Sequence, residues 1–199
     1  MANLTLVILM LVSTTMGSYA RKQGPNGELE WFQNICSGKE KVAKVHFFVQ
    51  DVLGGDKPTV YEVARGSITS NSATSFGQVR VLDDLLTVGP DKDSKELGRA
   101  QGLITSADFE TDALAMNLNF VFTSGRYNGS TISILGRNQI LKAERELAVV
   151  GGTGVFRMAR GYAITKTHSY DSATAYGVLE YTIYVTYVED PTSSLLASE

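Results

Sequence analysis

The chain is poor in the side chains that hold metals and carry electrons. It has one cysteine, Cys36, and two histidines, His46 and His168. A zinc site usually takes four ligands drawn mostly from Cys and His, and haem or iron–sulfur centres need similar donors. Those chemistries are not expected, and a lone cysteine cannot form an internal disulfide. No cofactor is expected, although a Mg²⁺ or Ca²⁺ site made only of carboxylates stays open. A basic excess is also missing. Lys and Arg number 18 against 21 Asp and Glu, a formal net charge of −3. Neither nucleic acid nor an anionic membrane is therefore an expected partner. Proline is scarce, at 4 residues against 19 glycines, which points to many turns and not to a disordered tract.

The 199 residues suit one domain with a core that needs no staples. Residues 4–12 form an apolar run of nine, Leu-Thr-Leu-Val-Ile-Leu-Met-Leu-Val, too short to span a bilayer, which takes about 20. A polar stretch follows and ends in Ser18-Tyr19-Ala20, small residues at the last and third-last positions. This reads as a secretory signal cleaved after Ala20, although Met1-Ala2-Asn3 carries no Lys or Arg. The expected layout is a signal peptide at 1–20, an N-terminal arm at 21–40, a β-domain at 41–189 and a tail at 190–199. Secretion makes Asn128-Gly129-Ser130 readable as a glycosylation site at Asn128. Two readings of Cys36 stand, an inert thiol and an intermolecular bridge.

From Lys41 onward the apolar pattern has period two. Val45, Phe47, Val49, Asp51 and Leu53 share one strand face; Met116, Leu118, Phe120 and Phe122 share another; Tyr181, Ile183, Val185 and Tyr187 a third. Further strands are expected at 60–68, 76–82, 97–104, 130–135, 145–150 and 156–167. Turn signals separate them at Gly54-Gly55, residues 88–91, Tyr127-Asn128-Gly129 and Gly151-Gly152. Eight or nine short-linked strands without a convincing amphipathic helix imply an antiparallel sandwich or barrel. Several strands are apolar on both faces, which suggests a ligand-lined interior and an outer wall covered by another subunit.

The run Ala148-Val149-Val150-Gly151-Gly152-Thr153-Gly154 has the look of a dinucleotide loop. It lacks the third glycine, and a strand-like segment follows where a helix is needed; a glycine turn between antiparallel strands is expected instead. Asp91-Lys92-Asp93-Ser94 lacks the Gly and Glu of a calcium loop. Neither histidine sits with a Gly-x-Ser-x-Gly elbow, and His168 reads as a surface or pocket-rim residue. Asp51 is the informative carboxylate. On an apolar inner face its pKa should rise, making it a proton donor or acceptor; at a strand end beside Gly54-Gly55 it would be an ordinary solvated acid. Arg145 falls in phase with Leu147 and Val149. On an inner face it would need a partner such as a buried Asp, and the pair could hold a phenol or carbonyl oxygen. On an outer face it would meet Glu144 or Glu146.

Several ordered segments together resemble the plant dirigent proteins over about residues 41–188. They are His46-Phe47-Phe48-Val49-Gln50-Asp51, Phe76-Gly77, Val81-Leu82-Asp83-Asp84-Leu85-Leu86-Thr87, Leu97-Gly98-Arg99-Ala100-Gln101-Gly102, Tyr127-Asn128-Gly129-Ser130-Thr131, Glu146 through Gly154, and Met158-Ala159-Arg160-Gly161-Tyr162-Ala163. The resemblance implies an all-β, eight-stranded antiparallel β-barrel of the calycin or allene-oxide-cyclase kind. It also implies secretion to the apoplast and a homodimer or homotrimer. Such proteins oxidise nothing themselves. A partner laccase or peroxidase makes phenoxy radicals from a monolignol such as coniferyl alcohol, and the barrel orients their coupling to a lignan.

Residue by residue, the resemblance places the family's first aspartate at Asp51 and its arginine at Arg145. A pocket threonine falls at Thr167, with Thr165 as the alternative. The second aspartate of pinoresinol-forming members falls on Asn138 in Gly136-Arg137-Asn138, and their pocket tyrosines on Leu103-Ile104-Thr105-Ser106. Asn138 can orient a phenol but cannot protonate a quinone methide. Gly136-Arg137-Asn138 and Lys166-Thr167-His168 look more like another branch, which includes pterocarpan synthases: cofactor-free cyclases that close a ring in an isoflavanol by loss of water. A third function class, a non-catalytic apoplastic defence or cell-wall binding protein, stays open.

Overall fold

The structure is a computed structural model that describes residues 29, 32, 33 and 35–188. The expected signal peptide, most of the expected arm and the expected tail lie outside the described residues. The chain divides into two units, Met1–Ser37 and Gly38–Glu199. In the first, residues 29, 32, 33, 35 and 36 are helical, where no helix was expected, and Cys36 is exposed and free. No helix among the described residues is long and apolar enough to cross a membrane.

The second unit contains nine strands among the described residues. They are β1 (Glu40–Val52), β2 (Val60–Arg65), β3 (Gln78–Thr87), β4 (Glu96–Ser106), β5 (Ala113–Phe122), β6 (Thr131–Gln139), β7 (Arg145–Thr153), β8 (Arg160–Asp171) and β9 (Tyr176–Val188). The order around the sheet is β1-β9-β8-β7-β6-β5-β4-β3-β2, with an additional β1–β3 pairing. That pairing closes eight strands into an antiparallel barrel. β2 is the ninth, and its register explains the count. β1 meets one end of the β3 edge, from Phe48↔Thr87 to Gln50↔Leu85, and β2 continues along the same edge from Val60↔Leu82 to Arg65↔Gln78. β1 and β2 are thus one staggered strand interrupted by the excursion at residues 53–59.

Alternation sends one face of each strand inward. Phe47, Phe120 and Tyr181 meet at the centre: the Phe47 and Phe120 rings lie 4.8 Å apart edge to face, and Phe47 stacks on Tyr181 at 5.8 Å. One end is plugged by Phe122, Tyr127, Phe156 and Tyr187, with Tyr127 and Phe156 centroids 4.7 Å apart. The other end stays open. Apolar residues also face outward: Leu103, Leu135, Val150, Tyr162 and Tyr184 are exposed.

Some boundaries moved. Residues 66–77 leave the sheet, so β2 stops short of the expected end at residue 68, and a 3-10 turn at Thr69–Asn71 follows. Gly151 and Gly152 lie inside β7, paired with Ser133 and Ile132 just past a register shift at Val150, and the chain then turns through Gly154–Phe156 into antiparallel β8. Gly136-Arg137-Asn138 is strand, not turn; at Gly136 the missing Cβ leaves room for Leu147, whose Cδ2 would stand 3.0 Å from it. His168 lies on β8, exposed, with its ring 5.4 Å from Phe48 on the outer wall.

A closed barrel needs strands that coil sharply. Gly98 and Gly102 supply this in β4, because a Cβ there would stand 1.9 Å from the Val121 carbonyl oxygen and 2.0 Å from that of Asn117. Neither oxygen can retreat without breaking the β4–β5 ladder. Gly102→Ala is therefore expected to cost about 2–4 kcal/mol, read as a lowered denaturant midpoint with an unchanged m-value.

Candidate functional site

The open end leads into a cavity of about 470 Å³. Its middle is apolar, lined by residues such as Leu82, Ala100, Ile104, Met116, Leu118 and Leu179. Its polar groups fall into two sets on opposite walls. The first sits on the β1–β3 seam, and the second is centred on the β6–β7 seam and continues across β8 to Tyr181 on β9. With the order β1-β9-β8-β7-β6-β5-β4-β3, two strands separate β1 from β7 and two separate β3 from β6, so the two seams face each other across the barrel.

Asp51 and Asp84 form the first set. The β1–β3 ladder ends at Gln50↔Leu85, and the next position on each strand is one of these carboxylates. Both line the cavity. Asp84 is almost wholly buried at 2% exposure, and Asp51 is partly buried. Burial pushes Asp51 up from 3.8 to about 6, with the Arg80 guanidinium opposing. Burial also pushes Asp84 up to about 7; the Asp51 charge adds to that rise and a hydrogen bond from Thr59 opposes it. Thr59 is placed by the return of the 53–59 excursion. Its backbone N–H donates to Val52 O at 2.9 Å, its Oγ1 accepts from the Val52 N–H at 3.2 Å, and its hydroxyl donates to Asp84 Oδ1. Asp51 thus lies on the inner face.

Arg145, Asn138, Thr167, Thr165 and Tyr181 form the second set. Arg145 is buried on the inner face, not paired with Glu144 or Glu146. Among the described residues no carboxylate takes the partner role either, and the guanidinium interacting with Asp51 is that of Arg80 on β3. Arg145 donates from Nε to Asn138 Oδ1 at 3.2 Å, and from Nη1 to Thr167 Oγ1 at 3.2 Å and Lys142 O at 3.1 Å. Desolvation holds its pKa below the usual arginine value. The structure thus brings Thr167 to the arginine. Thr165 pairs with Arg145 in the β7–β8 register and with Tyr181 in the β8–β9 register; it is fully buried, and its hydroxyl beside Tyr181 opposes the rise that burial causes in that phenol. Tyr181, also at the cavity wall, is pushed up to about 12 by burial. Asn128 belongs to neither set; it is exposed at the end of the Gly125–Tyr127 turn, before the start of β6, whereas Asn138 lies near the end of that strand.

Asp84, Arg80 and Tyr181 are the cavity residues that sequence reasoning gave no role. The signal for Asp84 was present: Leu82, Asp84 and Leu86 alternate as Val49, Asp51 and Leu53 do. It was masked by Asp83, an outward neighbour that accepts from Arg99 at 2.8 Å.

A closed barrel with one end plugged, buried acids on one wall and a buried arginine on the other defines a pocketed barrel of the dirigent type. The Dirigent-like protein family pattern matches residues 42–186, and the chain belongs to the dirigent family. It is 47% identical over 146 residues to dirigent protein 21 of Arabidopsis thaliana, covering 73% of this chain and 77% of that one. It is 42% identical over 184 residues to pterocarpan synthase 1 of Glycyrrhiza echinata, covering 92% and 94%. A solved pterocarpan synthase dirigent protein superposes with a TM-score of 0.71 at 44% identity, covering 76% of this chain and 93% of the other.

The raised carboxyl pKa values carry a stability consequence. Between 3.8 and about 7 the folded chain holds protons that the unfolded chain has shed, so stability falls as pH rises through that range. Asp84→Asn removes most of this slope and keeps an acceptor for Thr59. It is expected to stabilise the protein by about 2 kcal/mol at pH above the folded value, with little gain at acid pH. Thermal unfolding across a pH series checks this.

Proposed function

We propose that this dirigent-family protein closes a ring in a phenolic substrate through a quinone methide, a cofactor-free dehydrating cyclisation of the kind that pterocarpan synthases are named for. The observation that carries the reading is the pair of buried carboxyl groups, Asp51 and Asp84, at one pole of an apolar cavity. A carboxyl whose pKa is raised by burial is still protonated in a mildly acidic medium and can act as a general acid.

The protonated acid gives its proton to the hydroxyl that leaves as water. The phenol across the cavity supplies the electron pair, and its oxygen becomes the quinone methide carbonyl as its proton departs. A second hydroxyl of the substrate then attacks the exposed carbon and the ring regains aromaticity. The carboxylate takes the attacking hydroxyl's proton, and a proton returns to the phenol oxygen. The sum is loss of one water, with no oxidant. The cavity walls set which face is attacked, so the product has one configuration. An isoflavanol is the substrate class that fits.

A second reading is stereoselective coupling of monolignol phenoxy radicals made by a laccase or peroxidase. The feature favouring it is the opposition of two polar poles across one cavity, since two phenols could each be held at one of them. The wider assignment is of a secreted protein working in the apoplast as a homodimer or homotrimer, with the exposed outer residues Leu103, Leu135, Tyr162 and Tyr184 at its subunit contact and a glycan on Asn128.

Incubation with an isoflavanol and no oxidant is expected to yield a single enantiomer of the cyclised product by chiral chromatography. Asp51→Asn and Asp84→Asn should each lower kcat by about 100-fold, and the wild-type rate should fall as pH rises through about 6 to 7. Full activity in both variants overturns the acid assignment. An enantiomeric excess that appears only with laccase and coniferyl alcohol favours the second reading. On protein secreted from plant cells, glycosidase treatment is expected to lower the mass, and Asn128→Gln to abolish that change.

A further inference from the structure

The β6–β7 pole has a hydrogen-bonding polarity that the protein itself enforces. A guanidinium carries donors and no acceptor. The Arg145 Nε contact therefore obliges Asn138 to turn its carbonyl oxygen toward the arginine. The amide nitrogen is left as the free end of that side chain. Asn138 is 3% exposed and lines the cavity, and among the described residues its one side-chain hydrogen bond is the one its Oδ1 accepts from Arg145. Arg145, at 5% exposure, spends its charge on three neutral acceptors: Asn138 Oδ1, Lys142 O and Thr167 Oγ1. A buried guanidinium with no anionic partner is costly and is relieved by any anion that reaches it. Thr165, also buried, lies next in the strand register, with its hydroxyl beside that of Tyr181.

We infer that Asn138 and Arg145 form a receptor for an anionic ligand oxygen, a phenolate or a carbonyl gaining negative charge, and that Asn138 sets this preference. This deepens the reading of the cavity as a site for phenols, but it does not depend on which reaction follows. The amide is locked as a donor by the arginine, so the pole offers N–H groups and a positive charge to one incoming oxygen. Such a pole favours the ionised phenol over the neutral one and grips hardest when negative charge develops. An aspartate at position 138 would reverse it. The carboxylate would neutralise Arg145 and present acceptor oxygens, and the pole would then prefer a phenol that keeps its proton. The remaining charged groups facing the cavity, Asp51, Asp84 and Arg80, sit on the opposite seam. Tyr181 beside the pole is kept neutral by burial.

The test uses 4-nitrophenol, whose phenolate is read directly from its absorption, and 4-nitroanisole, the methyl ether that cannot ionise. Wild-type protein is expected to bind the phenolate about tenfold more tightly than the ether and to lower the pKa of the bound phenol. Asn138→Asp, which gains an ion pair and should unfold no earlier than wild type, is expected to invert the order and raise that pKa. Asn138→Leu, with Arg145 still present, should keep a weaker preference. Three results overturn the inference: a bound phenol whose pKa rises in the wild type, an Asn138→Asp variant that binds the phenolate as well as wild type does, or no binding of either probe. Loss of ring closure with the ionisation preference intact would instead count against the proposed reaction alone.

Discussion

Everything in this barrel depends on how β1 is shared. One edge of it pairs with β9 over thirteen positions, and the other reaches β3 at only three. Those three pairs turn an open sheet into a barrel and so create an inside. They do not act alone. Gln50 donates to Thr87 at 2.8 Å on the outer side of the seam, and Tyr176 donates to Gln50. Past the last pair the two strands part, and the excursion at residues 53–59 comes back to fill the gap with Thr59. The carboxyl groups sit at that parting. A fully paired seam would leave no polar work for Thr59, and an open one would expose both acids to water and return them to ordinary acidity.

The opposite seam follows the same logic with the reverse charge. The β6–β7 ladder ends at Leu135↔Ala148, and beyond it the strands are joined by side chains, Arg145 to Asn138. Ionisable groups are tolerated in this interior by two routes. The acids are buried by keeping a proton, which lowers their cost at the expense of stability at higher pH. The arginine cannot shed its proton in the same way, so it is surrounded by carbonyl, amide and hydroxyl oxygens. Between the poles the wall is mostly aliphatic, and Tyr181, which also packs on Phe47 and Phe120, reaches the cavity. Orientation of a flat phenolic ligand follows from shape in the middle and polarity at the ends.

Much of the architecture was legible because alternation is a short-range property. Phe47, Phe120 and Tyr181 could be placed on apolar strand faces from their neighbours alone, whereas spacing left Asp51 readable both as an inner-face acid and as a solvated strand-end acid. Misreadings arose where one residue type serves two purposes. Glycines at 136, 151 and 152 look like turn signals, yet they lie within strands that bend, bulge or make room for Leu147. Asp84 was hidden by Asp83, because adjacent acids look like a solvated pair until the pleat sends them to opposite faces.

The sequence by itself determined the all-β character, which residues share a strand face with Asp51 and with Arg145, and the family to which the ordered motifs belong. These rest on neighbours along the chain, where the pleat repeats every two residues. Only the tertiary structure decided which polar groups meet. That Asp51 finds Asp84 with Arg80 nearby, that Arg145 takes Asn138 and Thr167 and no acid, and that the two sets face each other across the cavity are consequences of register and closure. Both are set by strands far apart in the chain, and no local pattern encodes them.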